Sequence, residues 1–323
     1  MRKMRKVGKS NLVVSSLALG TMGFGWQSDE EESHKILDYY VFAGGNFIDT
    51  ANVYSKNQAD GPPHSRGRSE QIIGSWLAKT STQRDQVVIA TKVGSEMGDD
   101  YRGLSAKSIE YHLEESLKRL GTDYVDLYYA HAADSQTPQE ETIAAFEKLR
   151  KAGKIRAYGC SNHSAELMRD AHNTAAKIKA EGYVCAQDAY NPFVCFHYDE
   201  KIHPTIKELQ MGLVIYKSLA GGFLTGKYRK DKPLPSSHNR GPIERNACNE
   251  RGWKILDTLD QIAKTHETTT ACVALAWYKK HPLITSILVG ARSVVQISET
   301  MKAHELELDD GEYEMIEEVY RSK

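Results

Sequence analysis

No run of this sequence approaches the ~18 consecutive apolar residues that a membrane-spanning helix needs. There is no charge excess of either sign: 42 Lys and Arg stand against 43 Asp and Glu, a formal net charge of −1. That leaves no basic field for a nucleic-acid backbone and no polybasic patch for an anionic membrane. Cysteines are few and scattered, and Cys160, Cys185, Cys195, Cys248 and Cys272 include no C-x-x-C pair. They read as reduced thiols of a cytoplasmic protein, not as a disulfide framework. There is no low-complexity tract and no repeat beyond a strand–helix rhythm. The opening MRKMRKVGKSNLVVSSLALG places basic residues before apolar ones, as a secretory leader does. Asn11, Ser15 and Ser16 interrupt the apolar part and no small-residue cleavage pattern follows, so no leader is expected.

What is present is an ordinary globular composition, 40% hydrophobic and 26% charged, over 323 residues. Short β-rich runs recur at SLAL (16–19), NFID (46–49), VVIATK (87–92), YVDLYYAH (124–131), IRAYGCS (155–161), VCAQ (184–187), LVIY (213–216) and SILVG (286–290). Helical stretches mostly separate them. Ser105 precedes a segment with Ile109, Leu113, Leu117 and Leu120 on one face, closed by Gly121. Thr137-Pro138-Gln139-Glu140 has the spacing of a capping box with proline at the first helical position, and Gly153 ends that helix. Such alternation implies parallel strands joined by crossovers. Eight units predict an α/β fold, a (β/α)8 TIM barrel forming one domain over 1–323. A doubly wound open sheet is the competing architecture. Two long polar loops, 55–68 and 229–251, break the rhythm, and loops of that length often act as lids or binding loops.

The stretch GGNFIDTANVY (44–54) poses the chemical question. Its short apolar strand ends on Asp49, a carboxylate that is costly to bury unpaired. Other strands also end on polar groups: Lys92, His131, Ser161-Asn162, Gln187 and Tyr216. Taken singly, a lysine at a strand end usually snorkels and a histidine is usually structural. In a β/α barrel, however, the carboxyl ends of all strands converge on one face, where the chemistry sits. Lys92 is then the natural partner of Asp49, and its ammonium would make the Tyr54 hydroxyl a stronger acid. His131 could orient a substrate oxygen. A Tyr–Lys–Asp–His set without metal ligands suits proton transfer to or from oxygen, as in carbonyl reduction.

These residues resemble the aldo-keto reductases, in the branch of bacterial-type enzymes and potassium-channel β subunits. The motifs are GGNFIDTANVY (44–54), ATK (90–92), YYAH (128–131), GCSN (159–162), AQDAYN (186–191), SLAGGFLTGKY (218–228) and VGARSVVQISET (289–300), in family order. The resemblance implies Tyr54 as general acid/base, with Asp49, Lys92 and His131 completing a tetrad. It implies NADP(H) as cofactor, with Ser161, Asn162 and Gln187 at the carboxamide and Tyr216 stacked on the nicotinamide. Gly20, Thr21 and Met22 would belong to the same site. Ser218, Leu219, Gly221 and Lys227 would line the pyrophosphate, and Lys217, Arg240 and Gly290 would also bind the cofactor. Arg292, Ser293, Gln296 and Glu299 would meet the adenosine end, with Thr300 where the family commonly has an asparagine on the adenine. Arg292 suits a 2′-phosphate, because guanidinium forms forked, charge-assisted bonds to phosphate. This favours NADP(H) over NAD(H).

Two glycine motifs imitate other nucleotide sites. GTMGFG (20–25) fails the spacing of a Rossmann fingerprint, and GGFLTGK (221–227) matches a P-loop until Tyr228 replaces the magnesium-binding hydroxyl. The expected function is therefore an NADP(H)-dependent oxidoreductase interconverting an aldehyde or ketone, a sugar carbonyl among the candidates, and its alcohol. The alternative is a nicotinamide-binding, redox-sensing subunit with little turnover. Trp26 is the candidate apolar substrate contact, whereas Trp76 reads as helix core. The substrate, the direction, the oligomeric state and the role of the unusual segment 191–204 stay open.

Overall fold

The computed structural model describes residues 4–55, 66–97, 101–194, 198–232 and 247–321. The first two strands, β1 (Met4–Lys6) and β2 (Val13–Ser15), form an antiparallel hairpin. The next eight are β3 (Leu17–Gly20), β4 (Phe47–Asp49), β5 (Val88–Val93), β6 (Val125–Ala130), β7 (Ile155–Ser161), β8 (Cys185–Ala189), β9 (Gly212–Tyr216) and β10 (Ile284–Val289). Each pairs in parallel with the next, and β10 pairs with both β9 and β3, so the sheet closes into a barrel. The expected (β/α)8 barrel is the observed one, and the open sheet is excluded.

A strand buried on both faces reads as a near-continuous apolar run, and its side chains alternate between the two faces. Val88 and Ala90 of β5 pack in the barrel interior, while Ile89 and Val93 pack outward against the helices. The same parity puts Ala18, Phe47, Leu127, Ala157, Cys185 and Val214 inside. Two residues further along each of these strands come Gly20, Asp49, Tyr129, Gly159, Gln187 and Tyr216. Lys92 follows Ala90 on the same inward row. Period-two geometry thus delivers the polar residues to the upper end of a row that is otherwise apolar.

Around the barrel run α1 (Glu30–Phe42), α2 (Arg68–Leu77), α3 (Ala106–Leu120), α4 (Gln139–Lys151), α5 (Ala165–Lys177), α6 (His203–Glu208), α7 (Glu250–Thr265), α8 (Thr270–Lys280), α9 (Val294–Met301) and α10 (Asp310–Arg321). Helix α3 follows its sequence signals: the Ser105 hydroxyl accepts from the Ser108 amide, Ile109, Leu113, Leu117 and Leu120 are buried, and Gly121 leaves in the left-handed conformation. Trp76 is buried on α2 with its indole N–H donating to Asp38. The start of α4 corrects one expectation. No side chain caps it; the Thr137 hydroxyl instead donates to Asp134 at 2.7 Å, a carboxylate that also accepts from the amides of Leu104 and Gln136. A charged acceptor with several donors outcompetes a capping box here.

The N-terminal hairpin was not anticipated. Val7, Leu12 and Val14 pack with the barrel interior. Gly8 has φ +50° and sits so close to the starts of β8 and β9 that a Cβ there would lie 2.2 Å from the Val184 carbonyl oxygen and 2.7 Å from the Gly212 nitrogen. The hairpin therefore plugs the amino-terminal end of the barrel. Cys160, Cys185, Cys248 and Cys272 are free thiols. Among the described residues, no helix is long and apolar enough to cross a membrane, and no group of three or more His, Cys, Asp or Glu could hold a metal ion.

Candidate active site

At the carboxyl end of the barrel, Lys92 is fully buried and its ammonium has three partners. It donates to Asp49 Oδ1 at 2.5 Å, to the Thr50 carbonyl at 2.7 Å and to the Tyr54 hydroxyl at 3.1 Å. The second Asp49 oxygen accepts from Gln187 Nε2 at 2.7 Å, across the barrel. Asp49 thus faces Lys92 and Gln187, which answers the question raised by an acidic end to an apolar strand. The adjoining turn returns Tyr54 over β4, with its amide donating to the Ala51 carbonyl and its ring partly open to solvent. The His131 ring meets Tyr54 edge-on with centroids 6.0 Å apart.

Burial opposes the Lys92 charge, but Asp49 and Tyr54 outweigh it and raise the pKa, so the ammonium persists. For Asp49, burial pushes the carboxyl up, and Lys92 and Gln187 offset only part of that rise. Tyr54 brings a correction. Burial raises the phenol more than Lys92 lowers it, so its net displacement is upward and it rests as the protonated acid. Lys92 limits that rise without reversing it. Burial, followed by repulsion from Lys92, lowers His131 to about 3, so its imidazole is neutral.

The expected cofactor wall lies beside this group. Asn162, at φ +58°, ties three strand ends together: Nδ2 donates to the His131 carbonyl at 3.0 Å, Oδ1 accepts from the Tyr216 hydroxyl at 2.6 Å, and its amide donates to Asp188 at 2.9 Å. This bond holds the half-buried Tyr216 ring at the end of β9. Ser161 donates to the Gln187 carbonyl. The hydroxyl of Thr21 is committed to structure, donating to the Asp49 carbonyl and accepting from Ser69, whereas Gly20 is half-buried and Met22 exposed.

After β9, Lys217, Ala220, Gly221 and Gly222 all have positive φ, and Leu219 is half-buried. Such a run turns successive amide groups and suits an anion. The P-loop imitation fails in structure, since left-handed Gly221 and Gly222 kink the turn over Ala220–Thr225 and no helix opens at Gly226-Lys227. Ser218 is buried against Leu288, and exposed Lys227 lies 5.4 Å from the Tyr228 ring centre.

Past β10, Gly290, Arg292, Gln296 and Glu299 are exposed and Thr300 is half-buried. Gln296 accepts from the Arg292 amide, and Arg292 Nε donates to Gln27 at 3.1 Å. The residues present fit a dinucleotide: a fixed aromatic ring beside the tetrad, a turn rich in left-handed backbone, and an exposed guanidinium beyond it. Trp26 is partly exposed in the loop after β3. Arg240, residues 56–65 of the first long loop and 233–246 of the second lie outside the described residues.

Four contributions escaped the sequence reading: the Thr50 carbonyl, Gln27, Asp188 and Ser95, whose hydroxyl lies 3.1 Å from His131 Nδ1. Thr50 and Asp188 stood within quoted motifs, but Thr50 acts through its main chain. Gln27 and Ser95 act through partners on distant elements, which spacing does not reveal.

The model of the aldo/keto reductase family matches residues 16–321. The chain belongs to the aldo/keto reductase family. It is 35% identical over 320 residues to the oxidoreductase YrpG of Bacillus subtilis (strain 168), covering 97% of this chain and 94% of that one. It is 34% identical over 308 residues to a probable voltage-gated potassium channel subunit beta of Arabidopsis thaliana, covering 93% and 90%. Protein tas of Escherichia coli (strain K12) is 31% identical over 343 residues, covering 98% and 97%. As an aldo/keto reductase the chain is an oxidoreductase, of a family that generally works with a nicotinamide cofactor.

Proposed function

We propose that this aldo/keto reductase is a cytoplasmic, NADP(H)-dependent enzyme that interconverts an aldehyde or ketone and the corresponding alcohol. The observation that carries the reading is the buried Lys92 ammonium bonded at once to Asp49 and to the Tyr54 hydroxyl, with His131 against the same phenol. The chemistry a nicotinamide would supply, once bound, is hydride transfer to or from the substrate carbon. In reduction, Tyr54 donates its proton to the carbonyl oxygen, and the neighbouring ammonium stabilises the phenolate left behind. In oxidation the same phenolate takes the alcohol proton. Asp49 keeps Lys92 charged, and Gln187 keeps Asp49 in place. His131, neutral, gives the oxygen a second hydrogen bond. Tyr216, Asn162, Ser161 and the turn at 217–222 would hold the nicotinamide and pyrophosphate, and Arg292 the 2′-phosphate. Trp26 would form one apolar wall for the substrate.

A fluorescence titration with NADPH and NADH, followed by a carbonyl panel, tests this. Tight NADPH binding with turnover supports it, and failure of both nucleotides to bind overturns it. The likeness to a potassium channel subunit beta favours a second reading, a redox-sensing subunit. That reading gains if NADPH binds tightly but no carbonyl turns over while the protein co-purifies with a membrane partner.

A further inference from the structure

A neutral imidazole carries one proton on one of two nitrogens, and a hydrogen bond to the other nitrogen selects which. The backbone of His131 is held at both ends, its amide donating to the Val93 carbonyl and its carbonyl accepting from Asn162 Nδ2. Those bonds place the ring but do not distinguish its nitrogens. The Ser95 hydroxyl does, at 3.1 Å from Nδ1. Ser95 reaches that position because Gly94, at φ +106°, turns the chain just past β5 towards the end of β6. The turn is tight on one side, since a Cβ on Gly94 would stand 2.9 Å from Leu104.

We propose that Ser95 is a positioning residue that fixes the His131 tautomer: its hydroxyl donates to Nδ1, and Nε2 carries the proton presented to the substrate oxygen. This rests on the proposed role of His131 beside Tyr54. The reasoning is one of complementarity. A carbonyl oxygen offers only lone pairs, so both groups that hold it must be donors. Tyr54 is one, through its O–H. The opposite tautomer would turn an imidazole lone pair towards the substrate oxygen and leave Ser95 as a mere acceptor. The low proton affinity of His131 excludes the third state, a doubly protonated ring, at neutral pH. In oxidation the same N–H is a donor to the alcohol oxygen as its proton leaves, so one tautomer serves both directions.

The test reads the tautomer directly, on the full-length protein labelled with nitrogen-15 in its histidine rings. His131→Gln identifies the His131 signals. Wild type is expected to show an unprotonated Nδ1 and a protonated Nε2. In Ser95→Ala both signals should move towards averaged positions, with kcat falling about fivefold to tenfold, as for loss of one hydrogen bond, and NADPH affinity unchanged. Ser95→Thr, which keeps a hydroxyl, should restore both spectrum and kcat. A protonated Nδ1 in wild type, or an unchanged spectrum in Ser95→Ala, overturns the proposal. If the spectra behave as expected while His131→Gln keeps full activity, the tautomer assignment stands and the catalytic role of His131 falls.

Discussion

The two ends of the barrel are built from the same inward-facing rows and could hardly differ more. At the amino-terminal end, Phe47, Val88, Leu127 and Val214 meet the hairpin residues Val7, Leu12 and Val14, and the hairpin closes the end as a plug. At the carboxyl end the inward rows finish in Asp49, which bonds both Lys92 and Gln187 across the interior, and in Tyr216, whose hydroxyl donates to Asn162. Asp49, Lys92 and Gln187 are as fully buried as the apolar residues below, yet burial acts in opposite senses. Below, it stabilises, at about 25 cal/mol for each Å² of apolar surface removed from water. Above, it costs desolvation of two charges and an extra polar amide, which only close pairing offsets. The lower end is a core; the upper end is a charge arrangement held by a core.

The sharpest way to separate the ends is to remove one oxygen from the upper one. Tyr54→Phe should lower kcat by about 10²–10⁴-fold, the range of a general acid, while the denaturation midpoint and NADPH binding stay close to wild type. Steady-state kinetics with a denaturation curve checks both halves. The protonation sign follows from the raised phenol pKa. Reduction needs the protonated form, so its rate should be flat through neutrality and fall only as the phenol ionises in alkali. Oxidation needs the phenolate and should rise with pH. Because His131 is held at about 3, neither profile should show an inflection near about 6.5, the ordinary imidazole value.

Asp49→Ala should damage both properties, because it leaves the Lys92 ammonium buried without its carboxylate. Stripping one partner from a buried pair costs about 3–5 kcal/mol, which a shift in urea midpoint would read. The loss of kcat should accompany it, since a displaced or deprotonated Lys92 no longer supports the phenolate. A variant as stable as wild type would mean that Thr50 and Tyr54 alone satisfy the ammonium.

At the lower end the expectation is reversed. Gly8→Ala places a Cβ against the Val184 carbonyl at a left-handed residue, which should destabilise by at least about 2 kcal/mol and leave kcat unchanged. This hairpin is also where the sequence was least legible. Its strands are three residues each, and MRK at 4–6 offers no apolar alternation, so the segment resembled a poor leader more than a β-plug. The eight barrel strands were legible because runs such as VVIATK are apolar on both faces. Asp49, Lys92 and His131 were legible as a cluster because each stands at the end of such a run, whereas Tyr54, in the turn after β4, was reached only through its motif. What the sequence could not carry was the result of burial and of main-chain geometry: the upward net displacement of Tyr54, the Thr50 carbonyl on Lys92, and the choice of Asp134 over a cap for Thr137. Gln27, more than 260 residues from Arg292 in the chain, belongs with them.

The smallest expected effect tests whether the upper end extends its charge logic to the adenosine side. Arg292→Ala should weaken NADPH by about tenfold to a hundredfold, as for loss of a charge-assisted bond, and leave NADH nearly unaffected. Gln27 touches the same guanidinium from the loop that also carries Trp26. If that bond acts only by restraining Arg292, Gln27→Ala should cost NADPH about threefold to fivefold. The two changes share one route and should not add: once Arg292 is gone, Gln27→Ala has nothing left to restrain. Titration of the double variant reads this. Additive losses would place Gln27 on the nucleotide itself, and equal losses for NADPH and NADH would remove the 2′-phosphate from the argument for Arg292.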